Sequence, residues 1–332
     1  MNPSVAVVGA TGAVGELMRR VLEERNFPTR TIRFLASERS AGKSVTFRGR
    51  PHTVEPIRPE AFQGVEIVLS STPASVSREF SPIAAKAGAT VVDNSSAWRM
   101  DPDVPLVVPE VNADTLDRIP KGIIANPNCV AIPLTVALKP LHKLAGVKRV
   151  VVATYQSSSG KGAKGLADLD AQLQSIGAGR PMPAAKAHAA QLCGNVLPHD
   201  WTVNADGYTE EETKVIKETC KILGDDIPVS VTCVRVPVRV SHSLAVNVEF
   251  YRPLTPEDAC AAFGSAPGIV FSDGKPPLPL DVTGRDEVFV GRLRRDPTVP
   301  HGLNLWVVAD NLRKGAATNA VQIAQELIKR RA

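Results

Sequence analysis

The feature that most constrains this chain lies in its opening residues. Ser4–Val8 is an apolar run of strand length, and Gly9-Ala10-Thr11-Gly12-Ala13-Val14-Gly15 follows it directly. Beyond the glycines, Val14, Leu17, Met18, Val21 and Leu22 recur at helical spacing. Strand, glycine turn and helix in that order open a βαβ unit. The glycines let the backbone approach a pyrophosphate, and the helix N-terminus stabilises its charge. The spacing is GxxGxxG rather than the commoner GxGxxG, so the flanking strand and helix carry the reading. Without a ligand the same residues make only a tight strand–helix turn. The expectation sets Gly9, Thr11, Gly12, Ala13 and Val14 against a dinucleotide.

The alternation continues. Thr31–Ala36, 65–70 and Thr90–Asp93 read as further strands, with a helical stretch around 77–87 between the last two. This predicts a doubly wound, Rossmann-type parallel sheet that binds its cofactor at the C-terminal ends of the strands. The second strand leads into Ser37-Glu38-Arg39-Ser40. An acidic residue at this tip holds a ribose 2′-hydroxyl, whereas an arginine accommodates a 2′-phosphate. Ser37, Arg39 and Ser40 favour NADP over NAD. Glu38 argues the other way, and Arg39 also reads as an ordinary surface arginine.

After about residue 125 the composition shifts to longer β-branched runs, at 150–155, 229–240, 244–251, 289–293 and 303–309. These predict a mixed sheet in an α+β domain. Helical patterns cover 163–176 and Glu210–Leu223, and a last one over 315–330 has its apolar residues on one face. Residues 177–206 lack periodicity and read as an irregular excursion. With 332 residues, 43% of them hydrophobic, the chain can build two cores. The expected division is a cofactor domain over 1–125 plus 310–332 and a catalytic and dimerisation domain over 126–309.

Charge and cysteine usage narrow the class. The net charge of +5 is mild, and no aromatic residues interleave with the basic clusters, which argues against nucleic acid and suits anionic ligands. The five cysteines (129, 193, 220, 233 and 260) are scattered and form no CxxC pair. That fits a reducing compartment and argues against a disulfide framework or a metal site. No apolar run is long enough to span a membrane, and the chain enters a strand at once, leaving no room for a signal peptide. A cytoplasmic location is expected.

Asn126-Pro127-Asn128-Cys129 precedes an apolar run over 130–138 that can open a helix. A thiol at a helix N-terminus meets the positive end of the macrodipole, which favours the nucleophilic thiolate. Most lone cysteines are small buried hydrophobes. The polar turn around Cys129 sets it apart from the other four. His242 ends a stretch of apolar residues beside two serines, where an imidazole can exchange a proton with the thiol. A structural histidine is the commoner case. Arg235, flanked by apolar residues, is either paired or waiting for an anion, and its fork matches a carboxylate. Glu211 and Lys214 read as an i,i+3 surface pair in a first helical turn. Arg99 follows a strand end and has an even claim on a phosphate.

Taken together, GATGAVGE, SERSAGKS, VVDNSSAWRM, PLVVPEVN, ANPNC, TYQSSSGKG, EEETKVIKETCKIL, CVRVPVRVSHS, FVGRLRRD and WVVADNLRKGAATNAVQIA resemble the aspartate-β-semialdehyde dehydrogenase family over essentially the whole chain. The resemblance implies reduction of aspartyl-4-phosphate by NADPH to aspartate semialdehyde and phosphate. That is a branch-point step toward lysine (through diaminopimelate), methionine, threonine and isoleucine. By matching position, Cys129 is the nucleophile that forms an acyl-thioester, His242 the acid/base, and Gln156 the residue that orients substrate and thioester. Arg235 would hold the α-carboxylate and Glu211 the α-amine. Arg99, Asn126 and Lys214 would bind phosphate. Thr11 to Val14, Ser37, Arg39, Ser40, Ser159, Gly160 and Asn311 would contact NADP. A homodimer or homotetramer is implied, without nucleic acid or membrane. Three positions depart from the family pattern: Val130 after the cysteine, Lys161 between two glycines, and the short segment around 182–207. The rivals are N-acetyl-γ-glutamyl-phosphate reductase, whose acetylated substrate gives Glu211 no amine, and an inactive scaffold relative.

Overall fold

The computed structural model describes residues 2–331, in two compact units. The first contains the chain up to Asn128 and again from Ala316 onward, and the second is Cys129–Gly315.

The first unit is built on β1 (Ser4–Val8), β2 (Thr31–Ala36), β3 (Ser44–Phe47), β4 (Arg50–Pro56), β5 (Ile67–Ser70), β6 (Thr90–Asp93) and β7 (Ile123–Ala125). They form one sheet in the order β3-β4-β2-β1-β5-β6-β7. All neighbours are parallel except β3 and β4. Helices α1 (Ala13–Glu24), α2 (Ala74–Lys86) and the short α3 (Pro109–Asn112) fall between strands. β1, β5 and β6 are buried along their whole length, as sandwiched parallel strands must be. Met18, Val21 and Leu22 of α1 are fully buried, each worth about 1.5–3 kcal/mol of apolar transfer. The C-terminal helix packs into the same core through Ala320, Val321, Ile323, Ala324 and Leu327.

The second unit opens with α4 (Ala131–Ala145) and β8 (Val147–Gln156), followed by α5 (Gly162–Gly177), α6 (Glu210–Leu223), β9 (Val229–Arg235), β10 (His242–Phe250), α7 (Pro256–Ser265), β11 (Ile269–Ser272), α8 (Pro279–Val282), β12 (Val288–Asp296) and β13 (Gly302–Ala309). The sheet order is β11-β12-β13-β10-β8-β9, with parallel pairs at both ends and antiparallel pairs between. Alternation along β8 and β10 buries Val150, Val152, Leu244, Val246 and Val248 beneath the helices. Tyr155 and its ring neighbour Trp306 lie on the opposite, more open face. The chain returns to the first unit through a turn of π-helix, Arg313–Ala317, and α9 (Thr318–Arg331).

The run 229–240, expected as one strand, ends at Arg235. Pro237 has no N–H for the ladder, and Ser241 takes a left-handed φ of 76°. The break lets His242 begin a new strand. The final helix starts at Thr318 rather than 315.

Candidate active site

In the first unit the glycine turn is tied to the end of β2, because Gly9 and Ala10 N–H both donate to Leu35 O. Gly9 has φ 81°, and a Cβ there would stand 2.2 Å from Ser71 O. A Cβ on Gly15 would stand 2.1 Å from Gly9 O. These two glycines serve packing. Gly12 does not: the nearest atom to its added Cβ is Gly9 O at 3.4 Å. Gly12 is the N-cap of α1 and provides no side-chain cap, so the orphan N–H groups beside Ala13 and Val14 suit a phosphate. A dinucleotide pyrophosphate fits this turn.

Ser37 leads a short 3₁₀ turn in which Ser40 N–H donates to Ser37 O at 2.8 Å. Glu38, the residue that weakened the NADP reading, is committed to Arg58, whose Nη2 lies 3.0 Å from its Oε1. Arg39 is exposed and makes no ion pair among the described residues.

Arg99 is held at the ends of β6 and β7. Its Nε donates to Asn126 O at 3.0 Å and its Nη2 to Asn94 O at 2.8 Å. Asn126 is 1% exposed. Its Nδ2 donates to Asn94 Oδ1 and its Oδ1 accepts from Asn319 Nδ2, both at 2.7 Å. Both ends of the carboxamide are therefore used inside the unit, and Asn126 meets Arg99 through its backbone carbonyl.

The second unit gathers the remaining expected residues. Cys129 lies just ahead of Val130, the N-cap of α4. Its Sγ is 3.4 Å from His242 Nε2. On the far side of the ring, Ser157 N–H donates to Nδ1 at 3.0 Å, with Ser157 Oγ also at 3.0 Å. A backbone N–H cannot accept, so Nδ1 is the acceptor and the ring proton is assigned to Nε2, facing the sulfur. Burial, reinforced by Arg235, holds the His242 pKa well below the ordinary histidine value. The imidazole is neutral at neutral pH.

Asn311 organises the turn around it. Its Oδ1 accepts from Ser157 Oγ, Ser159 Oγ and Ser241 N–H, at 3.0–3.1 Å. This grip holds the strained Ser241 in place. Gly160 lies so close that a Cβ there would stand 2.8 Å from Arg235 Nη1 and 3.5 Å from the His242 ring. Gln156 pairs in register with Arg235 across β8 and β9, and its Nε2 donates to Glu211 Oε1 at 3.5 Å. Lys214 Nζ is 3.9 Å from Glu211 Oε2. The capping box of Thr209 and Glu212 starts α6 and so presents Glu211 and Lys214. Val130 is fully buried, so the side chain after the cysteine belongs to the core. Burial pushes the Cys233 and Cys220 thiols up.

Ser157, Asp200, His188 and Trp201 escaped the sequence reading, and Lys161 had been noted only as a departure. Lys161 Nζ donates to Asp200 Oδ1 at 2.9 Å. Asp200 is bonded to Arg235 in turn. Ser157 carried a signal, in the serine run before Gly160. Asp200, inside an aperiodic segment, carried none. Among the described residues no group of His, Cys, Asp and Glu is arranged to hold a metal, and no helix is long and apolar enough to cross a membrane.

A doubly wound sheet with a glycine-turn helix, joined to a mixed-sheet unit that pairs a cysteine with a buried neutral histidine, defines a dinucleotide-binding oxidoreductase. Residues 4–119 match the family model for the semialdehyde dehydrogenase NAD binding domain, and residues 138–314 match that for the semialdehyde dehydrogenase dimerisation domain. An aspartate-semialdehyde dehydrogenase of Aquifex aeolicus is 52% identical, with 99% of each chain covered. One of Synechocystis is 47% identical, covering 98% of this chain and 97% of the other. The crystal structure of aspartate semialdehyde dehydrogenase II from Vibrio cholerae, complexed with ASA, is 44% identical with a TM-score of 0.97 over 99% of each chain. A Candida albicans aspartate semialdehyde dehydrogenase with NADP is 25% identical, with a TM-score of 0.77 over 98% of each chain. The chain belongs to the aspartate-semialdehyde dehydrogenase family.

Proposed function

We propose that the protein reduces aspartyl-4-phosphate with NADPH to aspartate 4-semialdehyde and phosphate, a step in the synthesis of lysine and related amino acids. The observation that carries the reading is the 3.4 Å approach of Cys129 Sγ to His242 Nε2, at the end of the sheet where Gln156 pairs with Arg235 and reaches Glu211 of α6.

Each unit has its task. In the first, the Gly9–Gly15 turn takes the pyrophosphate, and Ser37, Arg39 and Ser40 take the 2′-phosphate. The NADP-bound relative supports that choice. Arg99, backed by Asn126, offers a cation to the substrate phosphate. The cofactor, when bound, supplies the hydride.

In the second unit Arg235 holds the α-carboxylate, Glu211 the α-amine, and Lys214 a phosphate oxygen. The Cys129 thiolate attacks the acyl phosphate. The tetrahedral adduct expels phosphate and leaves a thioester, which Gln156 orients. After hydride addition the oxyanion on the former thioester carbon is steadied by the Nε2–H of His242, the proposed acid/base, and collapses to the aldehyde as the C–S bond breaks and returns the Cys129 thiolate. Asn311, Ser159 and Gly160 shape the turn that borders this chemistry and would contact the cofactor when it is bound.

The open face of the second sheet, with Tyr155 and Trp306, is the proposed surface for a homodimer, in keeping with the dimerisation-domain match. A cytoplasmic location is supported by five cysteines that are all free. The test is phosphate-dependent reduction of NADP in the presence of aspartate semialdehyde. The expected result is activity in the parent, loss in Cys129→Ala, and a much weaker rate with NAD. An inactive parent overturns the reading.

A further inference from the structure

The irregular excursion between α5 and α6 sets a carboxylate of the protein's own on Arg235. Asp200 Oδ2 accepts from Arg235 Nε at 2.8 Å and lies 3.2 Å from His188 Nδ1. Its Oδ1 accepts from Lys161 Nζ and from Ala189 N–H, both at 2.9 Å. Arg235 Nη1 donates to Ser157 O at 2.7 Å, and the guanidinium Cζ sits 4.5 Å from the Trp201 ring centroid. One face and two nitrogens of the guanidinium are fixed, and Nη2 has no hydrogen-bond partner among the described residues. A cavity of about 570 Å³ lies beside this cluster, lined by Lys161, His188, Asp200 and Trp201.

Formal charge gives the arrangement a meaning. Arg235 and Asp200 alone are a buried neutral pair, both almost wholly out of solvent. Such a pair exerts little net pull on a second carboxylate, and its partner geometry is already satisfied. Lys161 returns one net positive charge to the cluster without touching Arg235. Its ammonium is fixed by a second acceptor, Ala187 O at 2.8 Å.

We propose that Lys161 is a positioning residue that sets the specificity of the site for a carboxylate-bearing substrate. It acts through Asp200, offsetting its charge so that an oriented Arg235 retains one net positive charge for the substrate carboxylate. This rests on the reading that Arg235 binds the α-carboxylate.

The test compares parent, Lys161→Met, Asp200→Asn and the double variant in steady-state NADP reduction with aspartate semialdehyde. Lys161→Met raises KM for the semialdehyde about tenfold and leaves kcat within about twofold, because uniform binding is lost and transition-state contacts are kept. KM for phosphate and for NADP stays within about twofold on the same argument. The double variant, which again carries one net positive charge, recovers most of the lost KM. Lys161→Arg keeps the charge and stays near the parent, which separates charge from folding. An unchanged KM in Lys161→Met, an equal rise for phosphate, or a double variant worse than both single ones overturns the proposal. An inactive parent would sink the functional reading itself. An active parent with a flat Lys161→Met response sinks only this inference.

Discussion

At the scale of single residues the account depends on atoms held where solvent cannot relax them. His242 is wholly buried, and its pKa is depressed by burial first and Arg235 second. The folded protein therefore resists protonating it. The unfolded chain takes up that proton below about pH 6.5, so this contribution to stability is present above that value and is lost as pH falls through the lower folded pKa. The pH profile of kcat/KM should accordingly show no acid limb near the ordinary histidine value. A limb there that vanishes in His242→Gln would contradict the burial argument. Gly160 gives a second prediction. Its neighbour Arg235 cannot retreat from an added methyl, because Ser157 O, Asp200 and Trp201 hold it. Gly160→Ala should cost roughly tenfold or more in kcat/KM, measured by steady-state kinetics, and lower the thermal melt as overpacking against a fixed side chain does.

At the scale of elements, the βαβ alternation, the helices α5 and α6 and the start of α4 were legible, because each follows from local apolar periodicity. The hairpin of β3 and β4 was not. Its turn is Arg48-Gly49, with φ of 49° and 72°, in place of the Asn-Gly that usually announces such a turn. The end of β9 was hidden for the opposite reason: the apolar run continues past Arg235, and only Pro237 marks the break. Cys129 and His242 could be read as candidates. Their approach could not, because it depends on Ser241, whose unusual φ is held by Asn311 from 70 positions away. Asn311→Ala should release Ser241, Ser157 and Ser159 together and lower kcat by about a hundredfold, as a small misplacement of reacting groups can. At the tip of β2, Arg39→Ala should raise KM for NADPH by about tenfold or more and leave KM for NADH nearly unchanged, since a lost charged hydrogen bond is worth that much. Equal effects on both cofactors would contradict the 2′-phosphate assignment.

At the scale of the whole molecule, the chain divides into two compact units, the first matching an NAD binding domain and the second a dimerisation domain. The chain passes between them at Asn128–Cys129 and at Gly315–Ala316. The excursion that bears Asp200 was legible only as irregular chain, because long-range side chains rather than local periodicity satisfy its polar groups. Asp200 should also mark acid stability. Its carboxyl is held at about 2 by Lys161, Arg235 and the Ala189 N–H despite the opposing effect of burial. The stabilisation, roughly 2 kcal/mol, is complete above the ordinary carboxylate value and fades as pH falls from about 4 toward 2. Asp200→Asn should flatten the melting temperature over that interval. The central claim, a thioester on Cys129, is tested most directly by mixing the protein with aspartate semialdehyde and NADP in the absence of phosphate. The account predicts a burst of NADPH equal to the active sites and an aspartyl group on the Cys129 peptide by mass spectrometry, discharged when phosphate is added. A burst that survives Cys129→Ala, or an adduct on another cysteine, would contradict it.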